Sequence, residues 1–370
     1  MKQYNLTHRT SLDGLVRRDD APEPVLTGPN DILIRIKAIA LNSRDLQVAT
    51  GLYPAQHPIP DNVVPVSDGC GIVQAVGPAV TLFKVGDRVA PVFPQGHYFN
   101  EDLSKGDMSR GLGAGLHGVA QELFVCSEED AFHIPKHFTY AEGATLPVSP
   151  PLYDPNSRQI AFGTAWSSLY AHNPKLRAGE TVLCLGTGGV SLSAAQIALA
   201  AGARVIVTSS SAAKLDRARG LLTPLAKFPE DAIHTVDYSA IDDWDVEVRR
   251  LTGGRGVDFV IEIAGRATLG RSIRSTRQAG LVAVSGYVSA FGAIPEKVLN
   301  EDLAVTILMS GAYVRGNFVA NREELKAMVS ALELGGVKPI IDKTFTFDDL
   351  PAAYRYMADG KHFGKVVVEL

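Results

Sequence analysis

The sequence predicts a two-part α/β fold, with a doubly wound parallel sheet in the middle of the chain and a β-rich part formed by its two ends. Three observations predict it. From about Arg177, short apolar runs alternate with helical segments in repeated β-α-β order, which builds a parallel sheet covered by helices on both faces. The first 140 residues hold many short strands separated by Gly/Pro turns, the pattern of a partly closed β fold. The end of the chain returns to that β-rich style. The expected boundaries are 1–140, 141–312 and 313–370, and 370 residues suffice for two cores.

In order, Asp31 to Ala38 alternates apolar and polar residues as a half-buried strand does. Gly71 to Gly77 and Arg88 to Phe93 are further short strands, with turns at Gly77-Pro78 and Gly86-Asp87. Thr181 to Leu185 has the composition of a buried strand, and Gly189 to Ala201 that of a small-residue helix. Arg204 to Thr208 is the next strand and Ala212 to Leu222 the next helix. Asp258 to Glu262 and Gly280 to Ser285 continue the alternation. Lys343 to Phe347, a short helix and Val366 to Val368 form the returning tail. Residues 148–160 carry three prolines and several turn formers, so they read as a loop that shapes substrate access or is inert.

Composition narrows the function. Apolar residues make up 46% and charged residues 21%, a globular balance. A net charge of −4 gives no reason to expect nucleic acid or an anionic membrane as partner. The three cysteines, Cys70, Cys126 and Cys184, are too few and too scattered for a disulfide framework or a four-cysteine zinc site, so reduced buried thiols are expected. The first residues lack an apolar signal segment, and no apolar run reaches membrane-spanning length. A soluble, cytoplasmic protein is the expectation.

Gly186-Thr187-Gly188-Gly189-Val190-Ser191 follows a strand and opens a helix. Glycines let the chain turn tightly and let a pyrophosphate approach the backbone, and the helix start offers free N–H groups to it. A structural glycine turn is the plainer reading, but the β-α-β placement favours a dinucleotide. Ser191 stands where the usual pattern has a third glycine, and it is small enough to keep helix and strand close. A site for NAD would place Asp or Glu about 20 residues on. That strand end carries Ser209, Ser210 and Ser211, then Lys214, groups that bind a 2′-phosphate where a carboxylate would repel it. Ser211 also suits an ordinary helix cap before a solvated basic helix with Lys214, Arg217 and Arg219, and both readings hold together. NADP(H) is the expected cofactor.

Several stretches, in order along nearly the whole chain, resemble the zinc-free, quinone-reductase branch of the medium-chain dehydrogenase/reductase superfamily. They are Ala40 to Leu46 (ALNSRDL), Gly86 to Val89 (GDRV), Glu142 to Pro147 (EGATLP), Thr164 to Trp166 (TAW) and His362 to Val367 (HFGKVV). The resemblance implies a GroES-like catalytic domain with a Rossmann cofactor domain, and an active site between them. It implies that Thr164, the Ile263-Ala264 turn and the Gly286-Tyr287 turn line the nicotinamide. Arg315 and Lys365 become candidates for the cofactor phosphates, although each reads as readily as a solvated surface charge. Asn42 is a candidate donor to the substrate oxygen, with Tyr53 and Tyr287 as hydroxyls, and Tyr53 equally suits packing. Arg44 and Asp45 read as a structural ion pair or hydrogen-bond network. A homodimer is also common among such relatives.

In the metal branch, zinc is held by Cys, His and Cys. The corresponding places here look like Asn42, Ser67 and the neighbourhood of Ile160, and residues 94–118 contain no cysteine. Metal is therefore not expected. Without a Lewis acid, a conjugated acceptor is the natural substrate, because it spreads the arriving charge and modest donors suffice. The expected activity is NADPH-dependent reduction of a quinone or α,β-unsaturated carbonyl. The alternatives are a zinc-free alcohol or carbonyl dehydrogenase and a non-catalytic NADPH-binding protein.

Overall fold

The computed structural model of the chain describes residues 1–53, 55, 57–96, 110–147, 161–226, 229–287, 294, 296–317 and 322–370. The 148–160 loop, with Ile160, lies outside them. The chain divides into two compact units, Met1–Gly163 with Val319–Leu370, and Thr164–Phe318.

The first strands are β1 (Gln3–Leu6), β2 (Leu15–Arg18), β3 (Asp31–Leu41), β4 (Asp68–Val76), β5 (Arg88–Pro91), β6 (Leu123–Ser127) and β7 (Ala131–His133). The second unit holds β8 (Thr181–Cys184), β9 (Arg204–Ser209), β10 (Ile233–Asp237), β11 (Val257–Glu262), β12 (Thr276–Val284) and β13 (Tyr313–Gly316). The tail adds β14 (Ile341–Thr346) and β15 (Lys365–Glu369).

In the first unit, β14, β15, β3, β4, β5 and β7 follow one another in a sheet, and β6 joins it on β3. β3 explains the arrangement. Its first half alternates, with Ile32, Ile34 and Ile36 buried, and its second half is buried throughout. β4 pairs along most of its length on one side, while β6 takes the first half and β15 the second half on the other. The strand therefore has neighbours along both edges, which places it inside the sheet. Ile39, Val73, Phe93, Phe124, Tyr354 and Val366 belong to the core built on it.

The second unit is a six-stranded sheet in the order β10-β9-β8-β11-β12-β13, parallel throughout. The chain runs outward from β8 to β10, then restarts beside β8 at β11. Ligands of such sheets bind at the carboxyl ends of the strands where the order reverses. Leu183, Ile206, Val260 and Val282 form part of its core. The expected return at residue 313 is corrected by β13, whose Val314 sits opposite Val282. Four consecutive residues of β13 pair with β12, so backbone pairing rather than side-chain burial keeps it in this sheet.

One buried carboxylate braces the far ends of these strands. Asp258 on β11 accepts from Arg255 Nη2 at 2.7 Å, Arg277 Nε at 2.5 Å and the Thr181 N–H of β8 at 2.9 Å. Burial alone would push its pKa up, but the hydrogen bonds from Arg255, Arg277 and Thr181 win and hold it below the usual carboxylate value. Its stabilisation is therefore complete above the unfolded value near ~4 and fades as pH falls through the lowered folded one. Asp258→Ala is expected to cost about 3 kcal/mol in urea unfolding at neutral pH. The gap between variant and wild type should shrink in acid.

Candidate functional site

In the second unit, β8 leads through Gly186, Thr187 and Gly188 into the Gly189–Ala200 helix. Gly186 adopts φ +76°, a region that side chains resist. Its N–H donates to Thr208 Oγ1 at 3.2 Å, tying the turn to β9, and Thr187 is buried. Gly188 caps the helix without a side chain, and a Cβ built there would meet nothing within 4 Å. Val190 and Ser191 are buried, and the Ser191 hydroxyl donates to Leu185 O, so the departure from glycine serves helix–strand packing. An uncapped helix start under open space presents N–H groups and a positive dipole end to an anion. These residues fit the pyrophosphate of a dinucleotide.

Beside the turn, Ser209 ends β9. Its Oγ accepts the Ser211 N–H at 3.2 Å, and Ser211 Oγ accepts the Lys214 N–H at 3.4 Å as cap of the Ala212–Leu222 helix. Ser210 is exposed and Lys214 half-buried. Asp237 stands opposite Ser209 in register on β10, and its carboxylate accepts from the Ser239 N–H and hydroxyl. Serine hydroxyls and the Lys214 helix start suit a second phosphate.

Two turns expected to line the nicotinamide meet in this unit. Gly265, with φ +81°, lies under Tyr287, where an added Cβ would sit 2.4 Å from Tyr287 Cδ2. Gly286 is buried and Tyr287 half-buried. A Cβ on Gly186 would face Ile263 Cδ1 at 3.8 Å, so the Ile263-Ala264 turn neighbours the glycine turn. Glu262, which sequence reasoning missed as a site residue, holds this turn. Its buried carboxylate accepts from the Ala264 N–H at 2.8 Å, Gly265 N–H at 2.9 Å, Thr268 hydroxyl at 2.8 Å and Ser272 hydroxyl. Burial raises its pKa despite these bonds. An acidic residue ending an apolar strand was the available signal.

Thr164 is buried, and its carbonyl accepts from Ser168 Oγ at 2.8 Å and Asn317 Nδ2 at 3.3 Å. Asn317 Nδ2 also donates to Ser168 Oγ, which lies 3.1 Å from Ser285 Oγ. Arg315 is half-buried on β13 and donates to Asn317 Oδ1 at 3.4 Å. This network was not legible beforehand.

In the first unit, sheet register collects a second group. Leu41 is opposite Val366, and Ala40 opposite Asp68, so Asn42, Asp68 and Lys365 share one end of three adjacent strands. Lys365 Nζ donates to Asn42 Oδ1 at 2.6 Å and Leu41 O at 3.1 Å, and lies 3.7 Å from Asp68 Oδ2. Asn42 Nδ2 donates to Asp68 Oδ2 at 2.9 Å, and Ser67 Oγ donates to Asp68 Oδ1. Asp45 Oδ2 accepts the Asn42 N–H at 2.8 Å. All of these side chains are buried. Burial drives the Asp68 pKa up to about 7, against the pull of Lys365 and Asn42, and drives that of Lys365 down against Asp68 and Asp45. The turn into Ser67 is strained, with Val66 at φ +70°.

Lys365 is thus placed as an interior cation rather than a surface charge. Arg44 does not pair with Asp45 within hydrogen-bonding distance. It donates to Leu112 O at 2.9 Å and lies between the rings of Tyr53 and Phe93, 4.7 and 4.5 Å from their centroids. Tyr53 accordingly packs against a guanidinium. Among the described residues no group of three His, Cys, Asp or Glu could hold a metal ion. At the places compared with zinc ligands stand an amide and a hydroxyl backed by an ammonium, a poor donor set for zinc. Cys70, Cys126 and Cys184 are free and buried, and burial raises all three thiol pKa values.

Residues 28–136 match the alcohol dehydrogenase GroES-like domain, and residues 189–333 the zinc-binding dehydrogenase family. A zinc-type alcohol dehydrogenase-like protein of Schizosaccharomyces pombe is 36% identical over 94% of this chain and 93% of its own. A quinone oxidoreductase of Pseudomonas aeruginosa is 29% identical, covering 94% and 93%. The crystal structure of a putative alcohol dehydrogenase from Sinorhizobium meliloti superposes with TM-score 0.82 at 35% identity, covering 100% and 99%. No helix among the described residues is long and apolar enough to cross a membrane.

The contact between Gly265 and Tyr287 is open to test. Gly265→Ala should cost about 1 kcal/mol for the left-handed backbone and roughly 1–3 kcal/mol more for displacing the ring. Gly254→Ala, also at positive φ but with nothing within 4 Å, should show the backbone cost alone. Equal losses of Tm would refute the contact.

Proposed function

The chain belongs to the medium-chain dehydrogenase/reductase superfamily, and we propose that within it the protein is an NADPH-dependent, zinc-independent oxidoreductase that reduces a quinone or an α,β-unsaturated carbonyl. The observation that carries this reading is the open, uncapped helix start at Gly188 next to a strand end, Ser209, that bears hydroxyls.

In this reading the amides around Gly188, Gly189 and Val190 hold the pyrophosphate, with Gly186 and Thr187 shaping the turn. Ser209, Ser210 and Lys214 hold the 2′-phosphate, and Arg315 adds positive charge. Thr164, Ile263, Ala264, Gly286 and Tyr287 flank the nicotinamide, and Glu262 keeps their turn rigid. NADPH, when bound, supplies the hydride. Asn42 donates a hydrogen bond to the substrate oxygen, and a hydroxyl such as Tyr287 or Tyr53, or solvent, returns the proton. Conjugation spreads the charge that arrives, so an amide donor suffices where an isolated ketone would call for a metal. The similarity to a quinone oxidoreductase supports this substrate class.

The proposed protein partner is a second copy. β13 ends the sheet, and Leu308, Met309 and Tyr313 near it are exposed. A strand edge with apolar flanks pairs with its own image across a two-fold axis.

NADPH should bind at least ~10-fold more tightly than NADH by calorimetry, and Ser210→Asp should erase that preference. NADPH oxidation over a panel of quinones, enones and aldehydes should favour the conjugated acceptors and survive a chelator. Faster NADP⁺-dependent alcohol oxidation would favour a zinc-free alcohol dehydrogenase instead. Tight NADPH binding with no turnover would favour a non-catalytic role.

A further inference from the structure

An asparagine amide has two ends that differ in chemistry, and its surroundings decide which way it points. Around Asn42 that decision is made by full charges. An ammonium lies against Oδ1 and a carboxylate against Nδ2, closing a ring of Lys365, Asn42 and Asp68. The reverse flip would set N–H against N–H and oxygen against carboxylate. Only a weak contact, 3.5 Å to Ala40 O, is shown besides the Asp68 bond for Nδ2, so the amide retains donor capacity.

Two basic groups, Arg44 and Lys365, and two acidic ones, Asp45 and Asp68, surround the ring, and the buried Tyr354 phenol borders Asp45 and Arg44. Arg44 is held by Leu112 O and two aromatic rings, which leaves Lys365 as the cation that reaches Asn42.

We propose that the Lys365 ammonium is the resident cation of this site, a positioning residue that locks the Asn42 amide in one flip and strengthens its N–H as a donor. The proposal rests on the reading that Asn42 serves the substrate oxygen. It also departs from the expectation that Lys365 binds cofactor phosphate. A cation at a carbonyl oxygen polarises the amide, and chains of hydrogen bonds reinforce one another in a low dielectric. A dication entering here would meet the ammonium already in place.

The test uses the full chain and three variants. Lys365→Met should lower kcat about 100-fold while the NADPH Kd stays within about twofold. Lys365→Ala should lose Tm, and ethylammonium chloride should restore both Tm and turnover where sodium chloride at equal ionic strength does not. If single variants fold poorly, Lys365→Met/Asp68→Asn removes both charges together. That double variant should regain Tm but not kcat. Regained kcat would overturn the proposal, as would a weakened NADPH Kd with kcat intact or a Tm of Lys365→Ala indifferent to ethylammonium. Failure of the wild type on every acceptor would instead defeat the reductase reading, and the ethylammonium effect on Tm would still decide whether Lys365 is the resident cation.

Discussion

A charge sealed inside a β fold must be met by opposite charge or by hydrogen bonds, and in the first unit a lysine and an aspartate meet this requirement together. Lys365 begins β15, Asn42 directly follows the end of β3, and Asp68 begins β4, all of them buried. Antiparallel register brings the three together. Leaving any one without its partner would strand a buried charge, a cost far larger than the net worth of the pair. The strained backbone at Val66 is the local concession that lets Ser67 and Asp68 reach the cluster.

The second unit solves a different problem with neutral groups. Glu262 is as deeply buried as Asp68, yet its partners are two backbone amides and two hydroxyls. A carboxylate used this way holds a loop in shape. The same economy recurs at Asn317, where one amide ties Thr164, Ser168 and Arg315. Hydroxyls and amides dominate the strand ends beside the glycine turn, and a cofactor would bring its own negative charge to them.

Much of the fold was legible because its signals are local. Apolar runs such as Phe259 to Ile261, within the strand read at Asp258 to Glu262, the glycine turn and the capping serine at Ser211 each announce themselves within a dozen residues. β10, with only Ile233 and Val236 fully buried, gave a weaker signal. β13 was assigned to the tail because its burial is partial and its role depends on β12. The Lys365 cluster was out of reach for a stronger reason. Its members are separated by up to 323 positions, and only strand register reveals that a lysine read as a surface charge faces inward. The ammonium behind Asn42 was not foreseen.

The three buried thiols carry a consequence for the proposed chemistry. Conjugated acceptors are Michael electrophiles, and the thiolates of exposed cysteines are what they alkylate first. Cys70, Cys126 and Cys184 are sequestered and held as thiols by desolvation. A catalyst with no accessible soft nucleophile of this kind can turn over such compounds without being consumed by its own substrate.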